Sequence, residues 1–298
     1  MRIAITGATG FIGVPLVALL RADGHEVVVI GRRRPGSVPD VAWDPESGVI
    51  DRSALAGVEA VVHLAGEPIG ERWTPARKSA LRSSRVKGTS LIATTMAAVS
   101  PRPRVLVSMS AVGIYGNRGD EELTEASAPA RDFLGELGVA WEAAADPARA
   151  AGIRVVHPRL GIVLHQEGGA LAKMLPPFRL GLGGRLGAGT QYMSWISRAD
   201  ALAALQFALT NDAVQGPVNL TAPAPVTNAE FTRELGRALH RPAVAVVPEF
   251  AIKLMFGEMG EQTVLAGQRV RPKVLQGMGF RFLHPALPAA LRAALGAD

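Results

Sequence analysis

Cysteine is absent from the 298 residues, which rules out disulfides, thiolate metal sites and cysteine nucleophiles. Tyrosine is nearly absent. There are two, at 115 and 192, and the residues four positions beyond them are Gly119 and Ile196. Chemistry that needs a tyrosine with a lysine one helical turn later is therefore missing. No stretch reaches the roughly 18 consecutive apolar residues of a membrane span, and the N-terminus lacks the pattern of a signal peptide. The expected location is the cytoplasm, with no membrane partner. The six histidines (25, 63, 157, 165, 240 and 284) show no ligand spacing, so no metal site is expected. The net charge is +6, but the basic residues are scattered and only Arg32-Arg33-Arg34 forms a tight run. This pattern fits a protein that handles anionic small molecules better than one that binds nucleic acid.

With 48% hydrophobic and 19% charged residues, the chain has ample material for a folded core. Ile3 to Gly13 reads Ile-Ala-Ile-Thr-Gly-Ala-Thr-Gly-Phe-Ile-Gly: an apolar strand, glycines at 7, 10 and 13, then a helical apolar run to Leu20. Strand, glycine turn and helix in that order form a phosphate cradle. Gly7 suits the tight turn, Gly10 the approach of a pyrophosphate, and Gly13 close helix packing. The helix N-terminus adds unpaired N–H groups.

Alternation continues along the chain. A second strand, Glu26 to Ile30, ends in Gly31-Arg32-Arg33-Arg34-Pro35. An acid at this place would bind the free ribose of NAD, whereas arginines match the 2′-phosphate of NADP, so NADP(H) is the expected cofactor. A variable stretch, Pro35 to Gly57, precedes a third strand, Val58 to His63, and the sequence Leu64-Ala65-Gly66-Glu67-Pro68. His63 is read as packed rather than catalytic. A helix from Thr74-Pro75 to Ala98, a fourth strand Arg104 to Ser108, a helix from Phe133 to Ala151 and a fifth strand Ile153 to His157 follow. The expected class is α/β, a Rossmann-type doubly wound parallel sheet. The expected division is an NADP(H)-binding domain over 1–160 and a smaller substrate-side region over 161–298. The first also receives about 190–222, and the second carries a distinct segment over about 242–298. Further on, Tyr192 to Ile196 reads as a strand, Ala199 to Leu209 as a helix, and Thr227 with Glu230 as a capping box.

Thr-Gly-Ala-Thr-Gly-Phe-Ile-Gly at the start, Leu64-Ala65-Gly66, and Ser110-Ala111-Val112-Gly113-Ile114-Tyr115-Gly116 resemble the extended short-chain dehydrogenase/reductase superfamily. Arg85-Val86-Lys87-Gly88-Thr89 looks like its helix motif with Arg at the usual Asn position, and Trp195 to Asp200 like a later motif. Trp43-Asp44-Pro45, Gly66-Glu67-Pro68-Ile69, Trp141-Glu142, Phe178 to Gly184, Gly257-Glu258-Met259 and Gly267 to Val270 resemble one atypical branch. It is the "epimerase family protein" group of short-chain dehydrogenase family 39U, with its own C-terminal domain. The resemblance covers nearly the whole chain. It implies cofactor contacts from Gly7, Thr9, Gly10, Phe11, Ile12, Gly13, Arg32, Arg33, Leu64, Ala65, Gly66, Glu67 and Ser108. It also implies homodimer pairing through the two long helices.

The superfamily moves protons with a Tyr-x-x-x-Lys pair and a nearby Ser or Thr while the nicotinamide exchanges hydride. Registered on Trp141-Glu142, the resemblance puts Gly138 at the tyrosine position and Glu142 at the lysine position; registered on Tyr115-Gly116, it puts Ala111 at the Ser/Thr position. Ser110 and Tyr115 are the candidates left for catalysis. Arg159, Arg179 and Arg185 are available to a nucleotide-sugar diphosphate, and Gly181 to Gly189 with Trp195 would shape the substrate side by analogy. Three readings stand: an NADP(H)-dependent oxidoreductase or epimerase-like enzyme acting on an unknown small molecule, a non-catalytic NADP(H)-binding redox sensor, or a scaffold.

Overall fold

The computed structural model describes residues 1–33 and 39–296. Arg34 and Pro35 of the basic turn lie outside them. Short apolar runs form strands β1 (Arg2–Thr6), β2 (Glu26–Gly31), β3 (Val41–Asp44), β4 (Val49–Ile50), β5 (Ala60–His63) and β6 (Val105–Ser108), joined later by Arg154–Leu160 and Gly216–Leu220. Across the sheet the order is Gly216–Leu220, Arg154–Leu160, β6, β5, β1, β2, β3, β4. All neighbours run parallel except β4, which turns back on β3. Ser110–Ala111 adds a short pairing to Arg159–Leu160.

β1 shows why its residues are apolar on both sides. Ile3 and Ile5 enter the core beneath α1 (Gly13–Ala22) and the helix Arg198–Thr210, while Ala4 enters the core beneath α2 (Pro75–Ala98). A parallel sheet covered on both faces leaves no solvated side for polar residues. Thr74 starts α2 as its sequence suggests: its Oγ1 accepts the Arg77 N–H at 3.1 Å, and Pro75 occupies the first turn, where its missing donor costs nothing. The Thr227–Glu230 capping box likewise forms in full.

Some elements differ from the sequence reading. The stretch Pro35 to Gly57 contains β3 and β4, because Val41 and Trp43 alternate into the core on a strand too short to stand out. The helix expected from Phe133 to Ala151 is two, α3 (Phe133–Ala143) and Asp146–Ala150. Pro147 donates no hydrogen bond and so starts the second. The fifth strand runs on to Leu160. Tyr192 to Ile196 divides into Tyr192–Met193 and Trp195–Ser197.

The later elements have a core of their own around Leu171, Leu175, Phe178, Trp195, Phe231 and Leu291. They are stitched back to the rest of the fold by polar bonds and a short strand pairing. Asp200 is fully buried and accepts the N–H groups of Leu283 and His284 at 2.6 and 3.0 Å. Arg269–Val270 pairs with Glu122–Leu123, and Asn117 Oδ1 accepts the Gly267 N–H at 3.0 Å. Among the described residues no helix is long and apolar enough to cross a membrane, and no group of three His, Asp or Glu side chains could hold a metal ion.

Candidate active site

The chain moves outward from β1 to β2 and then crosses to the other side of β1 with β5, so a crevice opens between the carboxyl ends of β1 and β5. The glycine turn fills its rim. Gly7 takes φ +69°, and the Gly10 N–H donates to the Gly7 carbonyl at 3.0 Å. A Cβ on Gly13 would lie 2.1 Å from that carbonyl oxygen, and one on Gly7 would lie 2.9 Å from the Ala65 nitrogen. Among the described residues the N–H groups of Phe11 and Ile12 donate to no acceptor. Backbone this close-packed, with free amides at a helix start, fits a nucleotide pyrophosphate. Gly13→Ala is expected to push α1 off the turn and weaken NADPH binding at least tenfold, or about 1.4 kcal/mol. Titration of the variant checks this; an unchanged affinity would mean that the turn does not hold the phosphates.

β1 and β5 end in a strap. Thr6 Oγ1 accepts the Leu64 and Ala65 N–H groups at 3.1 and 3.2 Å and donates its own proton to His63 Nδ1 at 2.7 Å. His63 is fully buried, with an edge of Trp43 packed against it, and burial pulls its pKa down to about 4. It is a structural residue, as expected. Leu64 and Gly66 then face the cleft. Glu67 holds Arg77 at 3.2 Å and lies 4.0 Å from Arg32, whose side chain is half exposed at the end of β2 next to an exposed Arg33. Both arginines stand just past the end of β2, on the same side of the sheet as the glycine turn.

The turn opens into a cleft of about 540 Å³, which Gly7, Gly10 and Gly13 themselves help to line. Its walls are the loop after β6 (Met109 to Ile114), α3 (Leu134, Leu137, Gly138, Trp141) and, from far along the chain, Gln262, Thr263 and Gln268. Gly138 faces this space, yet a Cβ there would lie 2.8 Å from Ile114 Cγ1. The helix has closed on the turn 112–115, so no side chain of any size fits at that position. Glu142, one turn on, is locked in a bidentate pair: Arg159 Nε and Nη2 donate to its two oxygens at 2.8 and 2.9 Å, with side chains 9% and 15% exposed for Arg159 and Glu142. The arginine holds this carboxyl below its usual range against the opposing effect of burial.

The two catalytic candidates belong to the same network. Ser110 lines the cleft but donates its proton to Glu142 Oε1 at 2.7 Å. Tyr115 does not face the cleft. It is fully buried, donates to Asn219 Oδ1 at 2.7 Å and accepts from Arg159 Nη1 at 2.9 Å, and burial raises its pKa further from neutrality. Neither offers a free hydroxyl, because a buried polar group must find a partner and here both have found one.

Other sequence candidates fall away from the cleft. Ser108 is fully buried at the end of β6 and Thr9 is exposed; neither lines the space. Trp195 lies in the core of the later elements, donating Nε1–H to the Ala224 carbonyl at 3.1 Å, so it does not shape the substrate side. Nor do Arg159, Arg179 and Arg185, of which Arg185 donates to the Gly187 carbonyl at 2.7 Å. Behind the walls the structure adds the bonds of Thr6 and of the Glu142–Arg159 pair, and on the walls the three polar residues near the end of the chain and Arg85. The last had a visible signal. It stands with Leu81, Gly88, Thr89 and Ile92 on the buried stripe of α2, where a charge is out of place.

Residues 3–220 match the NAD dependent epimerase/dehydratase family, and residues 247–294 match a domain of unknown function, DUF1731. An epimerase family protein of Mycobacterium tuberculosis is 46% identical over 97% of this chain and 96% of its own length. A crystal structure of human epimerase family protein SDR39U1 (isoform 2) with NADPH superposes with a TM-score of 0.89, at 35% identity, over 99% of both chains. A nucleoside-diphosphate sugar epimerase from Corynebacterium glutamicum gives a TM-score of 0.80 at 35% identity, over 99% of this chain and 58% of that longer one.

Proposed function

Because this chain belongs to the NAD dependent epimerase/dehydratase family, in the branch of epimerase family proteins that carry the domain of unknown function, we propose that it is an NADP(H)-dependent oxidoreductase or epimerase-like enzyme working without a Tyr-x-x-x-Lys pair. The observation that carries the proposal is the cleft. It runs from the glycine turn to walls supplied by α3 and by Gln262, Thr263 and Gln268, which give a small molecule beside the nucleotide both apolar and polar groups to meet. NADPH in the human relative's crystal structure supports the choice of cofactor.

When bound, the nicotinamide would supply hydride. The chain's own residues do the rest. The glycine turn and the free amides of Phe11 and Ile12 hold the pyrophosphate, and Arg32 and Arg33 hold the 2′-phosphate as charge-assisted donors. The Ser110–Glu142–Arg159 bonds fix the wall facing the substrate. With Tyr115 and Ser110 both engaged, the proton comes from water or from the substrate itself. A second reading, a non-catalytic redox-state sensor, is favoured by one observation: at the lysine position stands a carboxylate already neutralised by Arg159.

The test is calorimetric titration with NADPH and NADH, followed by single-turnover absorbance of bound NADPH against a panel of carbonyl compounds. NADPH should bind more tightly. Arg32→Ala and Arg33→Ala should each weaken NADPH by about 1–3 kcal/mol and NADH far less. Equal losses for the two cofactors would overturn the 2′-phosphate assignment. Oxidation by a panel member would establish the enzyme, whereas tight binding with no oxidation would favour the sensor.

A further inference from the structure

Arg85 is the one charged side chain among the described residues that line the cleft, and it is only 8% exposed. Its guanidinium lies 4.9 Å from the centre of the Trp141 ring. Nη1 donates to the Leu81 carbonyl at 3.3 Å and Nη2 to the Glu67 carbonyl at 3.1 Å. A guanidinium has five N–H donors, so three are left without a protein acceptor. No carboxylate forms an ion pair with it among the described residues. Glu67 acts on it only at longer range, is itself bonded to Arg77, and Arg77 opposes the effect. Burial pulls the Arg85 pKa down to about 10. A desolvated cation without a counter-ion is costly, and the cost is lifted when a ligand brings the opposite charge.

The surroundings limit what that ligand is. Ile69, Val112, Leu134 and Leu137 make the neighbouring walls apolar, and the Gln268 side-chain amide makes no hydrogen bond among the described residues. The other arginines that could serve a diphosphate lie off the cleft, Arg159 being held by Glu142. A single planar fork beside apolar walls fits a carboxylate on a short carbon body.

We propose that Arg85 anchors the carboxylate of a small, largely apolar organic acid, which is the substrate class of this cleft. The inference rests on the cofactor-dependent reading above and narrows its substrate to monoanionic acids rather than nucleotide sugars. The aromatic face of Trp141 keeps the guanidinium in place, and Gln268 is free to meet a second polar group on the acid.

The test uses hexanoate and its neutral counterpart hexanamide, titrated into the full-length protein saturated with NADP⁺ and into the protein alone. Hexanoate should bind at least tenfold more tightly than hexanamide. Arg85→Met, which keeps the chain length over Trp141, should abolish that preference, and Arg85→Lys should retain much of it. NADPH affinity should change less than threefold in Arg85→Met. The melting temperature of Arg85→Met should not fall, since an uncompensated buried charge is removed. If that variant does not fold, Arg85→Gln takes its place, and the hexanoate-to-hexanamide ratio of the unaltered protein is informative by itself. Equal binding of acid and amide, or no binding of hexanoate, would overturn the proposal. So would a tenfold loss of NADPH affinity in Arg85→Met, which would make the cofactor the anion served. Failure of the unaltered protein to bind NADPH would sink the cofactor reading while leaving the acid preference to be read in the protein alone.

Discussion

Arg159→Met is expected to destabilise the fold by about 3–5 kcal/mol in urea denaturation, because it leaves the Glu142 carboxylate buried with no cation beside it. The loss reaches further than one pair. Arg159 also donates to Tyr115 and to the Glu125 carbonyl, so Tyr115 keeps only its bond to Asn219. The double variant Arg159→Met, Glu142→Leu should recover most of the stability, since replacing both charges by apolar groups removes the desolvation cost along with the attraction. A double variant as unstable as the single one would show that the pair is worth more than the cost of burying it. The same cycle bears on function. At this position the superfamily's lysine would lower the pKa of a tyrosine, whereas here a carboxylate is neutralised by an arginine and its proton affinity is spent on structure.

The second large effect is a loss of stability in acid. His63 ordinarily titrates near 6.5, and burial pulls it down to about 4. Above 6.5 neither the folded nor the unfolded chain holds its proton. Between 6.5 and about 4 the unfolded chain takes the proton and the folded chain does not, so stability falls as the pH falls. Below about 4 both hold it and this contribution is complete. At 1.36 kcal/mol per pH unit the window is worth about 3 kcal/mol. Burial lowers the pKa of His157 and His165 too, which adds to the same slope. Urea midpoints of the parent and of His63→Leu, compared from pH 7 to pH 4, isolate the His63 share. The variant should have the flatter profile, and parallel profiles would mean that His63 takes its proton as readily in the folded chain as in the unfolded one. The strap explains why the ring resists its proton: Thr6 Oγ1 already accepts two amides, so its hydrogen points at Nδ1, and a charged ring would set two protons against each other.

What the sequence made legible was local. Gly7, Gly10 and Gly13 declare their turn because glycine is required within three-residue reach, and Thr74-Pro75 and Thr227–Glu230 declare their helix starts for the same reason. β3 was hidden because its parallel pairing with β2 spans only Ile30–Val41 and Gly31–Ala42, too short for a periodic signal. The absence of a Tyr-x-x-x-Lys pair could be counted, but what fills the gap could not. Glu142 and Arg159 are 17 residues apart and meet only because α3 packs across the end of the strand Arg154–Leu160. Tyr115 was a candidate because a hydroxyl in a loop after β6 is where chemistry occurs. Its engagement with Asn219, 104 residues on, is a property of the assembled sheet. Gln262 and Thr263 carried no signal, and Gln268 only its place in a family-like stretch, since polar residues in an irregular segment look like surface until a fold turns them inward.

That inward turn fixes the order in which the walls of the cleft are synthesised. The strands from β1 to β6 and the glycine turn are translated early, and the sheet gains its last strand with Gly216–Leu220. The wall supplied by Gln262, Thr263 and Gln268 emerges from the ribosome more than 40 residues later and is then pinned against Asn117 and the strand Glu122–Leu123. A nascent chain thus exposes the residues of its nucleotide cradle before those of the far side of its cleft, and Leu275, which completes the core under the sheet, comes later still.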